Sequence, residues 1–574
     1  MAKNLTREPD GLASGFIASS DAGRIATQPI AGLATVDHAV AALRPDVPVV
    51  CLRPQVLRDA ATTFVGTFPG RVFYAVKCNP DPQVILALAE GGVRCFDVAS
   101  LTEVALVRRL VPDATLAFMH PVKTRPSIRA AYYDYGVRDF SLDSFEELIK
   151  ILDETDRAGD LGLHVRLALP KGSAVCDLSG KFGVPAAQAA MLLKAARAVG
   201  RRVGLCFHTG SQGLEPEAFR RALEQCGEAI RQSGVAPDVI DVGGGFPVSY
   251  PDQVPPSLDL YFQAIREGFG ALGLPAATEL WCEPGRALVG AGSSVVVQVL
   301  KRRGNELFIS DGMYGTLSDA GLFGFRFPVR VVRTAESGRG RPSDELVPFL
   351  LWGPTCDSTD KMPGPFMISA DVREGDYLEI GQTGGYGTSV RTRFNGFDRV
   401  EQVAVSDAPL LLTPGLDDRP ERPLFVYGTL LDRDMLAAAL GRPALGVEAE
   451  PARADGFARR RVRGEERPTL SAADGAATEG LLLQGLGRAD LARLRFHAGS
   501  TYALRRVAVT CADGTVVSAD AFVADESAGK QAGKQVARAT AVPWTVDAWR
   551  RGHRAQALRA TRELMRMFGK LTPC

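Results

Sequence analysis

The sequence predicts an α/β protein: a (β/α)8 barrel, then a mainly β domain, then a small α+β domain. Three observations predict it. Between about residues 45 and 290, short apolar runs alternate with amphipathic stretches. After about residue 290 the runs become β-branched and alternating. Beyond a linker rich in Pro and Asp, SDAPLLLTPGLDDRPERP, the run LFVYGTLL opens a separate unit.

Taken in order, residues 1–30 are small and polar and are expected to be loosely ordered. VPVVCL, RVFYAVKCN, VRCFDVAS, TLAFMH, RDFSLDS, LGLHVRLAL, VGLCFHTGS and DVIDVGGG read as buried strands ending in polar residues. Helical patterns such as DPQVILALAEGG and DSFEELIKILDET lie between them. Alternation of this kind favours a parallel sheet, and eight such units fit a barrel over 31–290. A doubly wound sheet fits the same pattern, because alternation does not encode closure. SSVVVQVLKRRGNELFIS, FRFPVRVVR and GDYLEIGQ predict a β domain over 291–405, completed by part of the N-terminal segment. Residues 406–422 form the linker and 423–574 the last domain.

Composition limits the function classes. At roughly 150 residues per domain, 574 residues suggest two to four domains. A net charge of +1, with Lys and Arg scattered, implies no nucleic-acid or membrane partner. Ten cysteines without a CxxC pair imply neither a metal site nor a disulfide framework. No apolar stretch reaches the ~18 residues of a membrane span. The charged N-terminal stretch does not read as a secretory signal, and a cytoplasmic, reduced protein is expected.

The chemistry lies at the ends of the predicted strands, where barrel active sites form. FYAVKCNP places Lys77 directly after an apolar run. DVGGGFP supplies Gly243, Gly244 and Gly245, whose backbone can approach an anion closely. EPGR supplies Glu283, Gly285 and Arg286, and HTGS supplies His208 and Ser211. Each motif alone is weak. Together they provide an amine, a phosphate cradle, an acid and a stacking ring, which is the inventory of a pyridoxal phosphate site.

The stretch from about residue 45 to 400 resembles the fold-type III decarboxylases of ornithine, lysine and diaminopimelate, whose barrel is of the alanine-racemase type. The resemblance is carried by YAVKCNPDP, FDVASLTE, AVCDLSGKFG, FHTGS, DVGGGFP, EPGR, LWGPTCDSTD and FNGF. It implies that Lys77 binds pyridoxal 5'-phosphate covalently, with a pKa lowered by desolvation beside a cationic ring. It also implies that Glu283 meets the ring nitrogen and that His208 stacks on the ring. Ser211, Gly243, Gly244, Gly245, Arg286 and Tyr386 then hold the phosphate. Asp97, Glu103, Arg166 and Gly285 match pocket-lining positions.

Cys356, in GPTCD, matches a proton donor contributed by a second subunit. Lys181 and Asp360 match a pair that bridges subunits. The resemblance therefore implies a homodimer with shared active sites. Asp357 matches the group that meets the distal ammonium of a diamine-forming substrate. CDSTD favours the ornithine and lysine branch over diaminopimelate, although Gln212 leans the other way. Where eukaryotic-type relatives carry a second carboxylate, Phe323 stands, and Asp319 lies one turn earlier as a candidate substitute.

Residues from about 423 to 550 resemble the γ-glutamylcyclotransferase-like family through LFVYGTLLDRDML, TEGLLLQGL and STYALRRVAV. Tyr427, Gly428, Thr429 and Leu430 match its substrate turn. His497 stands where the family carries a Glu, and Glu479 is nearby in sequence. The domain either transfers protons through His497 or has become a binding module.

The expected function is pyridoxal-phosphate-dependent decarboxylation of ornithine or lysine to a diamine. Two alternatives remain open. One is decarboxylation of a modified, γ-glutamyl or carrier-linked amino acid. The other is a silent regulatory homologue, disfavoured by the presence of Lys77, Cys356 and the glycine cradle. GPTCD also argues against a racemase.

Overall fold

The structure is a computed structural model. It describes residues 30–571, apart from 171–173, 177–179, 252, 417–422, 442–446, 463–466, 487, 500–501 and 525–538. The segment expected to be loosely ordered therefore lies almost wholly outside the described residues, as does part of AVCDLSGKFG.

Eight parallel strands close into a barrel: Arg71–Ala75, Cys95–Val98, Thr115–Phe118, Asp139–Leu142, Gly162–Arg166, Arg202–Cys206, Val239–Asp241 and Glu279–Cys282. Closure is made by the pairing of Val239–Asp241 with both Arg202–Cys206 and Glu279–Cys282. The strands are short apolar runs buried on both faces, as a helix-covered parallel sheet requires. Local signals start the helices between them. Asp81 caps Pro82–Glu90, with Pro82 in the first turn, where a missing N–H costs nothing. Ser100 and Ser144 cap Leu101–Leu110 and Phe145–Glu154 by accepting from Glu103 N and Glu147 N.

The two ends of the barrel differ. At the N-terminal end, Arg202 and His164 clasp Asp139 at 2.7 and 2.8 Å, and Arg71 meets Glu279 at 3.3 Å. Burial opposes the charge on Asp139, but His164 and Arg202 overcome it and lower its pKa to about 2. That end is a closed ionic plug. The opposite end is left to the functional groups.

One predicted barrel strand belongs elsewhere. Val49–Leu52 lies in the second sheet, between Glu401–Val405 and Ser293–Arg303. The eighth barrel strand is Glu279–Cys282, the apolar run before EPGR. A fully apolar four-residue run reads the same at the centre of any sheet covered on both faces, so periodicity alone does not separate the two. Ile30–Leu33 also pairs with Glu401–Val405, so the N-terminal strands complete the β domain. Its sheet continues from Ser293–Arg303 through Glu306–Ile309 and Leu346–Trp352 to Lys361–Ser369.

Arg53 joins the two domains. It is 2% exposed and reaches Ser294 Oγ at 2.9 Å, Glu379 at 3.0 Å and Asp407 at 2.9 Å. Glu379 is also held by Arg330 at 2.6 Å. Arg53→Met is expected to destabilise the protein by about 3 kcal/mol. This is the lower end for breaking a buried pair, because Glu379 keeps one cation. Urea denaturation measures it, and a loss below about 1 kcal/mol contradicts this role for Arg53.

The last domain is a six-stranded sheet that curls on itself, since Pro468–Gln484, at one end of the strand order, also pairs with Glu448–Val462 near the other end. Helices Arg433–Leu440, Val546–Gly552 and Arg554–Leu571 pack together beside it. Among the described residues, no helix is long and apolar enough to cross a membrane.

Candidate active site

The C-terminal ends of the barrel strands bring the predicted groups together. Lys77 lies in a turn, Val76–Cys78, immediately after Arg71–Ala75. A loop of the β domain clamps that turn: Tyr386 N donates to Cys78 O at 2.9 Å and Asn79 Nδ2 donates to Gly384 O at 2.8 Å. Lys77, His208, Ser211, Gly244, Gly245, Glu283, Gly285, Arg286 and Tyr386 line one cavity.

The glycines are required there by sterics. Gly243 has φ +66°, and a Cβ on it would lie 2.0 Å from Phe207 O. A Cβ on Gly244 would lie 2.7 Å from Glu283 O and 3.0 Å from His208 Nε2. The loop thus presents bare backbone to the cavity.

Lys77 Nζ donates to Asp97 Oδ2 at 2.6 Å. Burial opposes its charge, but Asp97 and then Glu283 more than offset this and raise its pKa above the ordinary range. The lowered Lys77 pKa expected from desolvation beside a cationic ring is opposed here by the carboxylate on the neighbouring strand. Glu283 is buried, and burial together with Asp241 and Asp97 raises its pKa well above the usual range. His208 accepts from Gly210 N at 3.0 Å through Nδ1. Burial, Arg166 and Lys77 push its pKa well down, so the ring is neutral. A neutral ring suits stacking.

Arg286 is 4% exposed and is held by Tyr250 OH at 3.1 Å, Ser211 Oγ at 3.3 Å and Asp319 at 2.8 Å. Its Nε is buried without a hydrogen-bond partner, as is Asp97 Oδ1. Asp319, a candidate for substrate recognition, is thus committed to Arg286. The Phe323 ring lies 6.3 Å from that of Phe325 and tilted 47° to it, against the β-domain core. Glu103 accepts from Ala99 N at 2.7 Å, just before the Ser100 cap of its own helix. Arg166 lies over Phe182, 5.7 Å from its centroid.

Cys356 and Asp357 lie apart from this cavity, in a groove with Trp352, Phe308 and Asp360. Among the described free cysteines, Cys356 alone is exposed. Asn395 in FNGF, whose φ is +54°, accepts at 3.1 Å from both Cys356 N and Cys356 Sγ. Sequence reasoning quoted that motif without giving Asn395 a task. Asp357 accepts from Tyr314 OH and Thr359 N, which lower its pKa and keep it anionic. Asp360 is 1% exposed and accepts from Met313 N, Thr355 N and Thr355 Oγ1 of its own chain. Lys181 is exposed, with its ammonium 4.9 Å from the Phe182 ring. The Asp360 carboxylate shapes the Cys356 loop, and the Lys181–Asp360 pair, expected between subunits, is not formed within one chain.

In the last domain, Tyr427, Gly428, Thr429, Leu430 and His497 line one cavity. His497 Nε2 lies 3.2 Å from Thr561 Oγ1. Burial, then Arg467, lowers its pKa to about 4. Glu479 is not among the residues lining that cavity.

Comparison with known proteins places this geometry. Residues 55–290 match the family described as pyridoxal-dependent decarboxylase, pyridoxal binding domain. The chain is 34% identical to the lysine/ornithine decarboxylase of Selenomonas ruminantium over 349 residues, 59% of this chain and 84% of that protein. The chain belongs to the pyridoxal-dependent decarboxylase family. The decarboxylase is similar to the solved lysine/ornithine decarboxylase of Vibrio vulnificus complexed with cadaverine, with TM-score 0.56 and 29% identity, covering 65% of this chain and 100% of that one. It is also similar to the Paramecium bursaria Chlorella virus arginine decarboxylase bound to agmatine, with TM-score 0.56 and 26% identity, covering 64% and 99%. Residues 424–545 of the decarboxylase match the gamma-glutamyl cyclotransferase, AIG2-like family.

The decarboxylase therefore uses pyridoxal phosphate to decarboxylate an amino acid, and the cavity suits that cofactor. It offers an amine for the aldehyde, a carboxyl for the ring nitrogen, a neutral ring, and a buried arginine beside bare glycine backbone for the phosphate.

Proposed function

We propose that the enzyme decarboxylates ornithine or lysine to the corresponding diamine, in a homodimer whose active sites are shared. The exposed Cys356–Asp357 loop carries this reading. It lies away from the Lys77 cavity of its own chain, so it meets substrate through a second copy. Bound pyridoxal phosphate supplies the electron sink that lets the α-carboxylate leave as CO2.

The residues around it do the rest. Lys77 holds the cofactor, Glu283 keeps its ring nitrogen protonated, and His208 covers a ring face. Ser211, the three glycines, Arg286 and Tyr386 hold the phosphate. Cys356 of the partner subunit delivers the proton from Sγ to Cα after CO2 leaves, with Asn395 orienting the thiol. Asp357, anionic and unburied, meets the distal ammonium. With Asp319 committed to Arg286 and Phe323 apolar, that ammonium has a single carboxylate, which accommodates both chain lengths.

Cys356→Ala is expected to lower kcat by about 10²-fold. Mixing Cys356→Ala with Lys77→Ala protein should restore part of the activity, because one of the two sites in a mixed dimer is intact. No recovery on mixing, in a sample shown to have exchanged subunits, contradicts shared sites. CO2 release across ornithine, lysine, arginine, diaminopimelate and their γ-glutamyl derivatives decides the substrate. Turnover confined to the γ-glutamyl forms would instead favour a modified substrate.

For the last domain, a base with pKa about 4 takes a proton poorly from an ammonium group. We assign it a binding role. Release of 5-oxoproline from γ-glutamyl amines, abolished by His497→Ala, overturns that assignment.

A further inference from the structure

Two glutamines stand behind the phosphate end of the cofactor site. Gln212 directly follows Ser211, and Gln382 precedes Tyr386 in the loop GQTGGYG. Neither is among the residues lining the Lys77 cavity. Both are buried, at 0% and 4% exposed, and both have left-handed backbone, with φ +56° and +57°. A residue with a Cβ adopts that conformation at a cost, so its surroundings must hold it there.

Both side chains close on one short segment, 248–250, which follows the glycine cradle. Gln212 Nε2 donates to Val248 O at 2.6 Å, and Gln212 Oε1 accepts from Val248 N at 3.1 Å. The amide thus pairs with Val248 as a neighbouring strand would. Only an amide serves both bonds, since a carboxylate has no donor for Val248 O. Gln382 takes the next residue: its Nε2 donates to Ser249 O and, at 3.4 Å, to Leu411 O. Tyr250 completes the segment, and its hydroxyl accepts from Arg286 Nη1 at 3.1 Å. Arg286 Nη2 in turn reaches Ser211 Oγ at 3.3 Å, and its guanidinium lies 5.1 Å from the centroid of the Tyr386 ring. Three phosphate-holding side chains from distant parts of the chain are therefore tied to one segment.

We propose that Gln212 and Gln382 are positioning residues: by clasping residues 248–250 they preset Ser211, Arg286 and Tyr386 as one phosphate-binding unit.

This rests on the assignment of those three side chains to the cofactor phosphate. The gain is preorganisation. Without the clasp, binding the phosphate has to order three separate segments, and that cost is subtracted from affinity. The aldehyde and ring ends of the site are held by other contacts, at Lys77, Glu283 and His208, so the effect is confined to the phosphate end.

The test compares pyridoxal phosphate with pyridoxal, which lacks only the phosphate. Each is titrated into full-length protein freed of cofactor, and the visible band gives a dissociation constant. Gln212→Gly and Gln382→Gly remove the side chains while accepting the left-handed backbone without strain. In each, the dissociation constant for pyridoxal phosphate should rise about tenfold, the lower end for losing a group that orients a ligand-holding residue. That for pyridoxal should stay unchanged. The two positions are independent, so one variant that does not fold leaves the other decisive. Equal weakening of both ligands means general damage to the fold and overturns the proposal, as does unchanged affinity for pyridoxal phosphate. Ser211→Ala is the reference. If it weakens pyridoxal phosphate selectively while the glutamine variants do not, the positioning role alone fails. If it leaves the ratio of the two constants unchanged, the phosphate assignment fails and the proposal with it.

Discussion

Lys77→Ala is expected to lower decarboxylation by about 10⁴-fold or more while leaving the fold intact. The reason lies in what surrounds the lysine. Its turn is clamped by Tyr386, Asn79 and Tyr74, whose hydroxyl donates to Asn79 O at 2.9 Å, and none of these bonds uses the Lys77 side chain. Removing the ammonium leaves Asp97 buried and unpaired beside Glu283, so the variant loses both covalent attachment and charge balance. Circular dichroism should match the wild type, and the visible band of the bound cofactor should be lost. Activity within about tenfold of the wild type is incompatible with Lys77 as the cofactor lysine.

The second large effect concerns the cradle. Gly243→Ala is expected to destabilise the protein by about 4 kcal/mol, combining left-handed strain with overpacking. Its added Cβ would meet Phe207 O at 2.0 Å, and a barrel-strand carbonyl cannot swing aside like a side chain. Gly66, within the helix Pro54–Thr67, is the internal control. Nothing lies within 4 Å of its added Cβ, and Gly66→Ala should be neutral or stabilising by up to about 1 kcal/mol. Urea denaturation of the two variants compares them directly. Equal stabilities would mean that the close approach at Gly243 is not rigid.

Most of the cofactor site was legible in the sequence, because it is built from short motifs at strand ends. Lys77, His208, the three glycines, Glu283 and Arg286 each follow an apolar run, and a closed barrel gathers its strand ends into one rim. What the sequence did not show depends on long-range neighbours. Nothing local to FYAVKCNP places Asp97 against Lys77, where it opposes the expected pKa shift. Nothing local to SDAGLF commits Asp319 to Arg286. Val49–Leu52 was misplaced because four apolar residues carry no record of which sheet they enter. Asn395 stood inside a motif that had been noticed. Its task, holding Cys356, depends on a residue 39 positions away in the chain.

The central claim is that Lys77 carries pyridoxal phosphate. Borohydride reduction of the holoenzyme, followed by tryptic digestion and mass spectrometry, tests it most directly. Reduction fixes the cofactor to its lysine and blocks cleavage there. The label should therefore appear on the peptide Val72–Arg94, uncut at Lys77. Label on any other lysine, or an unlabelled peptide cut at Lys77 in protein that retains its visible band, contradicts the account.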